Sequence, residues 1–121
     1  GLHDSRPADR GAMVRVKGQD GFLPIGPAIT HASAFDPTSF TIRTYLNGEQ
    51  VQEGGSDDLM FSVAYQLADL SRVITLEPGD VILTGTPSGV GAYQDPPQFL
   101  RSGDVVRIEI DRLGAIEHAV E

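Results

Sequence analysis

A chain of 121 residues is long enough for one modest domain with a single core and too short for two. Nine basic against seventeen acidic side chains give a formal charge of -8, which repels polynucleotides and anionic membrane surfaces, and no apolar stretch has the length of a membrane span. Cysteine is absent, which excludes disulfides and thiolate metal sites and leaves the cytoplasm as the default compartment.

The opening Gly1-Leu2-His3-Asp4-Ser5-Arg6 is not a signal peptide and has no starting methionine, so the chain reads as a fragment. Residues 1–11 are polar and turn-rich. They begin the densest basic region, Arg6, Arg10, Arg15 and Lys17, which suits a small anion better than a polynucleotide. Met13 to Lys17 alternates apolar with basic, the period of a half-buried strand ending at Lys17. Phe22 to Pro27, with two prolines, predicts an extended segment. Phe40 to Leu46, then Asn47-Gly48, then Glu49 to Gln52 predicts a hairpin, because both central positions of a type I′ turn need positive φ.

Ser56 can cap a helix, Asp57 and Asp58 suit the positive end of its dipole, and Leu59, Met60, Val63, Ala64, Leu67 and Leu70 share one helical face. One amphipathic helix over about residues 57–73 is predicted. Pro78-Gly79-Asp80 is a turn, Val81 to Leu83 a short run of buried-strand type, and Thr84 to Gly91 a loop of small residues that a ligand can approach. Tyr93 to Gln98 contains Asp95-Pro96-Pro97 and reads as a loop. Val105 to Ile110, a turn near Leu113-Gly114, and Ala115 to Val120 predict a terminal hairpin.

Several residues suggest chemistry. Thr86, between Gly85 and Pro87, offers a hydroxyl and nearby backbone amides to a carboxylate; the alternative is a tight turn whose threonine satisfies only its own backbone. Lys17 before Gly18 can aim an ammonium into a pocket, although most strand-end lysines are simply solvated. Arg6 and Arg10 offer paired donors that fit a dicarboxylate, and read otherwise as surface arginines. Asp20, in the loop with Gln19, can brace the turn before Gly21. His3, His31 and His118 have no ligand-like spacing, so no metal ligand is assigned. Ser88 sits in no nucleophile elbow, and Gly85 to Gly91 lacks the ending of a phosphate loop.

The run Leu76-Glu77-Pro78-Gly79-Asp80-Val81-Ile82-Leu83-Thr84-Gly85-Thr86-Pro87-Ser88-Gly89-Val90-Gly91 resembles the signature of the fumarylacetoacetate hydrolase family. Lys17 to Pro27 is similar to that family's lysine loop, and Tyr45 to Glu49 with Gly54 to Phe61 to its hairpin and following helix. Order and spacing agree from Arg15 to the C-terminus.

The resemblance implies an α+β, mainly β, fold: a fumarylacetoacetate hydrolase-like mixed β-sheet or β-roll with one main amphipathic helix. Residues 1–121 would form a single domain, the C-terminal part of the catalytic domain, truncated at its N-terminus. It also implies a parent enzyme acting on 2-oxo or enol dicarboxylates through a metal-bound enolate, by isomerisation or decarboxylation in aromatic catabolism. The stretches around Lys17 and Phe22 to Pro27 look most like the 2-hydroxyhepta-2,4-diene-1,7-dioate and 5-carboxymethyl-2-hydroxymuconate isomerases, with acylpyruvate hydrolase and oxaloacetate decarboxylase as alternatives. By the same likeness Thr86 contacts substrate with Gly85 permitting close approach, Lys17 stabilises the enolate, and Arg6 and Arg10 help close the pocket. Magnesium or manganese is the parent's cofactor, held by a Glu-x-Glu pair and a third carboxylate upstream of the lysine loop.

No Glu-x-Glu precedes Lys17, so this chain alone is expected to bind metal poorly. The expected partners are a small anionic 2-oxo acid and either a second copy, as a homodimer, or the missing N-terminal segment; neither nucleic acid nor membrane is expected. A reading of another class competes: a non-catalytic β-rich scaffold or oligomerisation fragment with unpaired strand edges.

Overall fold

The computed structural model describes residues 17–121. Four strands form one antiparallel sheet: β1 (Thr41–Leu46), β2 (Glu49–Gly55), β3 (Val105–Ile110) and β4 (Gly114–Ala119), in the order β2-β1-β3-β4. A helix, α1 (Val63–Leu70), lies between the two hairpins in the sequence. The described residues bear out the expected mainly β fold with one main helix.

The first hairpin turns where the sequence demands it, with Asn47 at φ 53° and Gly48 at φ 85°. Asn47 also ties the two hairpins together. Its amide nitrogen donates to Asp104 Oδ1 (2.9 Å), its amide oxygen accepts from the Val105 backbone N–H (2.8 Å), and its own N–H donates to the Val105 carbonyl (2.8 Å). The Asp104 carboxyl is held below the usual carboxylate range, first by the Asn47 amide and then by the Arg101 backbone N–H. The second hairpin turns with Arg112 at φ 66° and Gly114 at φ 96°.

Alternation sorts the sheet into two unlike faces. On one, Arg43 bridges Glu53 (2.9 Å) and Asp111 (3.0 Å), while Arg107 meets Glu109 (2.8 Å) and Glu117 (3.6 Å). The other carries Ile42, Leu46, Val106, Ile108, Ile110 and Ile116, paired across the strands. The 26–35 segment covers part of that apolar face, where Pro27 and Phe35 line a depression with Ile108, Ile110 and Ile116. The covering is partial: among the described residues only Gly54 is buried, and no hydrophobic side chain is.

Register breaks once. Thr44 faces Gln52 but Tyr45 faces Gln50, so Val51 is an extra residue, a β-bulge in β2. The bulge shifts the alternation. An unbroken β2 would set Gln52 opposite Arg43 on the charged face; the extra residue moves it opposite Thr44 onto the apolar one.

Three expectations are corrected. The helix does not run from 57 to 73: Ser56–Asp58 form a single 3-10 turn, Leu59 is extended, and α1 begins after Ser62, whose Oγ accepts from the Tyr65 N–H (3.2 Å). Asp58 accepts instead from the Gly55 N–H (2.7 Å), the local side-chain bonding by which aspartates compete with helix, and Val73 to Thr75 are β-branched and disfavour its continuation. Val81 to Leu83 forms no strand, because no described strand lies beside it to complete a ladder, and Val81 and Leu83 stay exposed. Most of the strand expected over Met13 to Lys17 lies outside the described residues; Lys17 itself is helical rather than extended.

Candidate functional site

The small-residue loop after Leu83 is built by its glycines. Gly79 (φ 105°) makes the preceding turn, closed by the Asp80 N–H donating to the Glu77 carbonyl (3.1 Å) and by the Glu77 N–H donating to Asp80 Oδ2 (2.8 Å). Gly85 at φ 116° takes a conformation that L side chains rarely adopt, and nothing lies within 4 Å of where its Cβ would stand. Its glycine is therefore required by the backbone, and the space before it is open.

Further along, the loop is pressed onto β2. A Cβ at Gly89 (φ 101°) would collide with the Val51 carbonyl, and one at Gly54 would come within 2.6 Å of Pro87 Cβ. The Gln52 side chain closes the contact. Its Nε2 donates to the Pro87 carbonyl (2.8 Å) and to Thr86 Oγ1 (3.1 Å), and lies 3.4 Å from the Ser88 carbonyl. Downstream, the Gln98 N–H donates to the Gly91 carbonyl (2.8 Å) and holds the 91–98 segment back on itself; this segment contains a 3-10 turn, Gly91–Tyr93.

Thr86 is thus exposed at the tip of a braced loop, its hydroxyl oxygen already engaged as an acceptor. The remaining hydroxyl hydrogen is available to an anion in front of it. Lys17 is exposed and has neither hydrogen bond nor ion pair to another described residue, Thr86 included. Arg6 and Arg10 lie outside the described residues.

Other candidates belong elsewhere. His31 is exposed, and its Nδ1 accepts from the Ser33 N–H (3.2 Å). His118 lies on β4, on the face opposite that of its neighbour Glu117, with its Nε2 buried and unpaired; Glu117 meets Arg107. A shallow polar depression of about 690 Å³ lies at the Thr41 end of β1, lined by Thr38, Ser39, Asp57, Asp111 and Arg112 among others; Thr86 is not in its lining.

Among the described residues no group of three or more His, Asp or Glu side chains could hold a metal ion. They do not by themselves fit the six-oxygen cage that magnesium or manganese prefers. Sequence reading missed Gln52. Its signal was faint: a polar residue two positions before Gly54-Gly55, in a strand whose bulge only cross-strand pairing reveals.

The fumarylacetoacetate hydrolase C-terminal family model matches residues 3–121. A mitochondrial oxaloacetate tautomerase of Xenopus laevis is 48% identical over 102 residues, covering 84% of this chain and 32% of that protein. The chain therefore spans about a third of the length of such relatives. Its fold superposes on a fumarylacetoacetate hydrolase from Exiguobacterium antarcticum with a TM-score of 0.86 at 43% identity, covering 88% of this chain and 39% of the other. A 2-hydroxyhepta-2,4-diene-1,7-dioate isomerase from Mycobacterium marinum gives 0.75 at 39% identity, with 85% and 37% covered. A maleylpyruvate hydrolase from Sphingobium sp. SYK-6, solved with manganese(II) and pyruvate, gives 0.74 at 39%, with 83% and 36% covered.

Proposed function

This chain belongs to the fumarylacetoacetate hydrolase family, and on that footing we propose that it forms the substrate-carboxylate wall of an enzyme that enolises a 2-oxo dicarboxylate. The observation that carries this reading is the Thr86 hydroxyl, exposed on a loop that Gln52, Gly54 and Gly89 fix against the sheet. A donor held in place before the ligand arrives needs no reorganisation when charge develops, which is where electrostatic stabilisation is most effective. Thr86 binds and orients one carboxylate of the substrate. Lys17 supplies positive charge to the oxygen that becomes the enolate.

Relatives at this level of identity act on oxaloacetate, and their neighbours include isomerases and hydrolases of longer oxo acids. A four-carbon 2-oxo dicarboxylate is therefore the first substrate to test, with dienoic dicarboxylates and acylpyruvates next. Metal would reach this site on carboxylates that the described residues do not provide. A second reading, a scaffold that works only when joined to another surface, draws on the exposed Met60, Val73 and Tyr93 (88%, 81% and 82% exposed).

The test follows enol absorbance of oxaloacetate with magnesium or manganese present. Saturable turnover that falls by about a hundredfold in Thr86→Val supports the enzyme reading. Turnover unchanged in Thr86→Val and in Lys17→Met removes it.

A further inference from the structure

Gln52 presents its amide to three oxygens on the Thr86 loop, and the chemistry of those oxygens fixes which way the amide faces. The Pro87 and Ser88 carbonyls can only accept, so the group aimed at them is the NH2 and not the amide oxygen. The same nitrogen lies 3.1 Å from Thr86 Oγ1, which therefore accepts. A hydroxyl that accepts from one side keeps its hydrogen for the other. An acceptor facing Thr86 from the open side can take that hydrogen, and a carboxylate, which only accepts, is suited to it.

The bulge at Val51 makes this possible. In an unbroken pairing of the same residues Val51 would face Thr44 and Gln52 would face Arg43, on the charged face and turned away from the loop. Gly54 and Gly89 supply the close approach that brings Pro87 and Ser88 within the amide's reach. Bulge, glutamine and two glycines act together on one hydroxyl.

We propose that Gln52 is a positioning residue: it fixes the Thr86 loop and holds the Thr86 hydroxyl as a hydrogen donor toward the substrate carboxylate. This rests on the reading that Thr86 touches that carboxylate. Gln52 acts only through Thr86 and reaches no substrate atom itself.

The experiment uses the protein at its full natural length with manganese(II) added, and measures pyruvate affinity by calorimetry between about pH 5 and pH 8. Gln52→Ala is expected to weaken binding by about tenfold. Gln52→Glu is expected to weaken it further at neutral pH, since a carboxylate repels the Pro87 and Ser88 carbonyls and draws the Thr86 hydrogen to itself. As pH falls and the introduced carboxyl gains a proton, it becomes a donor and the defect shrinks. In a Thr86→Val background, Gln52→Ala adds nothing, because the two act on one interaction. Additive losses, or a Gln52→Glu variant that binds as tightly as wild type at every pH, overturn the positioning role while leaving Thr86 in place. Wild-type protein that ignores pyruvate, or a Thr86→Val variant of full affinity, removes the functional reading and the role of Gln52 with it.

Discussion

The sheet and the segment between its two hairpins have equally apolar patterns and opposite fates. In the sheet, Ile42, Leu46, Val106 and Ile108 find partners across the strands and are half-buried, with the charged pairs on the opposite face. Between residues 59 and 100, Met60, Phe61, Tyr65, Leu67, Val73, Val81 and Leu83 repeat at similar density yet remain exposed, and α1 joins no extensive contact with a strand. The contrast teaches that an apolar pattern announces a need for a partner surface without saying whether this chain supplies it. The loop from Gly85 to Gly89 crosses between the two regions, through Gln52, Val51 and Gly54.

Four measurements act on that contrast. Ile108→Asp sets a charge on the apolar face between Thr44 and Ile116, and is expected to lower stability by about 3 kcal/mol, read as a shifted urea midpoint. A variant as stable as wild type would mean that the sheet is not the stable half. Asn47→Ala removes a residue suited to positive φ and the acceptor of the Val105 N–H, for an expected loss of about 1–2 kcal/mol in the same assay.

Acid sharpens that result. The folded Asp104 carboxyl ionises more readily than an unfolded one, so its contribution is complete above the ordinary carboxylate range and fades as pH falls through the folded value. The gap between wild type and Asn47→Ala should therefore narrow below about pH 4. Met60→Glu gives the smallest effect, within about 0.5 kcal/mol, because Met60 is 88% exposed and touches little of its own chain. A large loss there would show that the intervening segment packs more tightly than its exposure implies.

The hairpins were legible because their turns are local: Asn47-Gly48 carries the required positive φ in two adjacent residues, and Gly114 carries it in the second turn together with Arg112. The helix start was not, because Ser56 and Ser62 both precede apolar residues, and only the Asp58 bond to Gly55 decides between them. Val81 to Leu83 reads as a buried strand in any sequence, since composition is blind to the presence of a neighbour. The loop bearing Thr86 was visible from its glycines. Its brace was not, because the Val51 bulge exists only in the pairing of β2 with β1.

That odd residue decides which face of the first hairpin Gln52 occupies. Were the ladder to run unbroken from the Asn47-Gly48 turn with all residues kept, Val51 would meet Thr44 and Gln52 would meet Arg43, on the charged face and out of reach of Thr86. Losing one residue at the bulge would instead leave a more regular hairpin with Gln52 still opposite Thr44. The register of this strand therefore carries information that its composition does not.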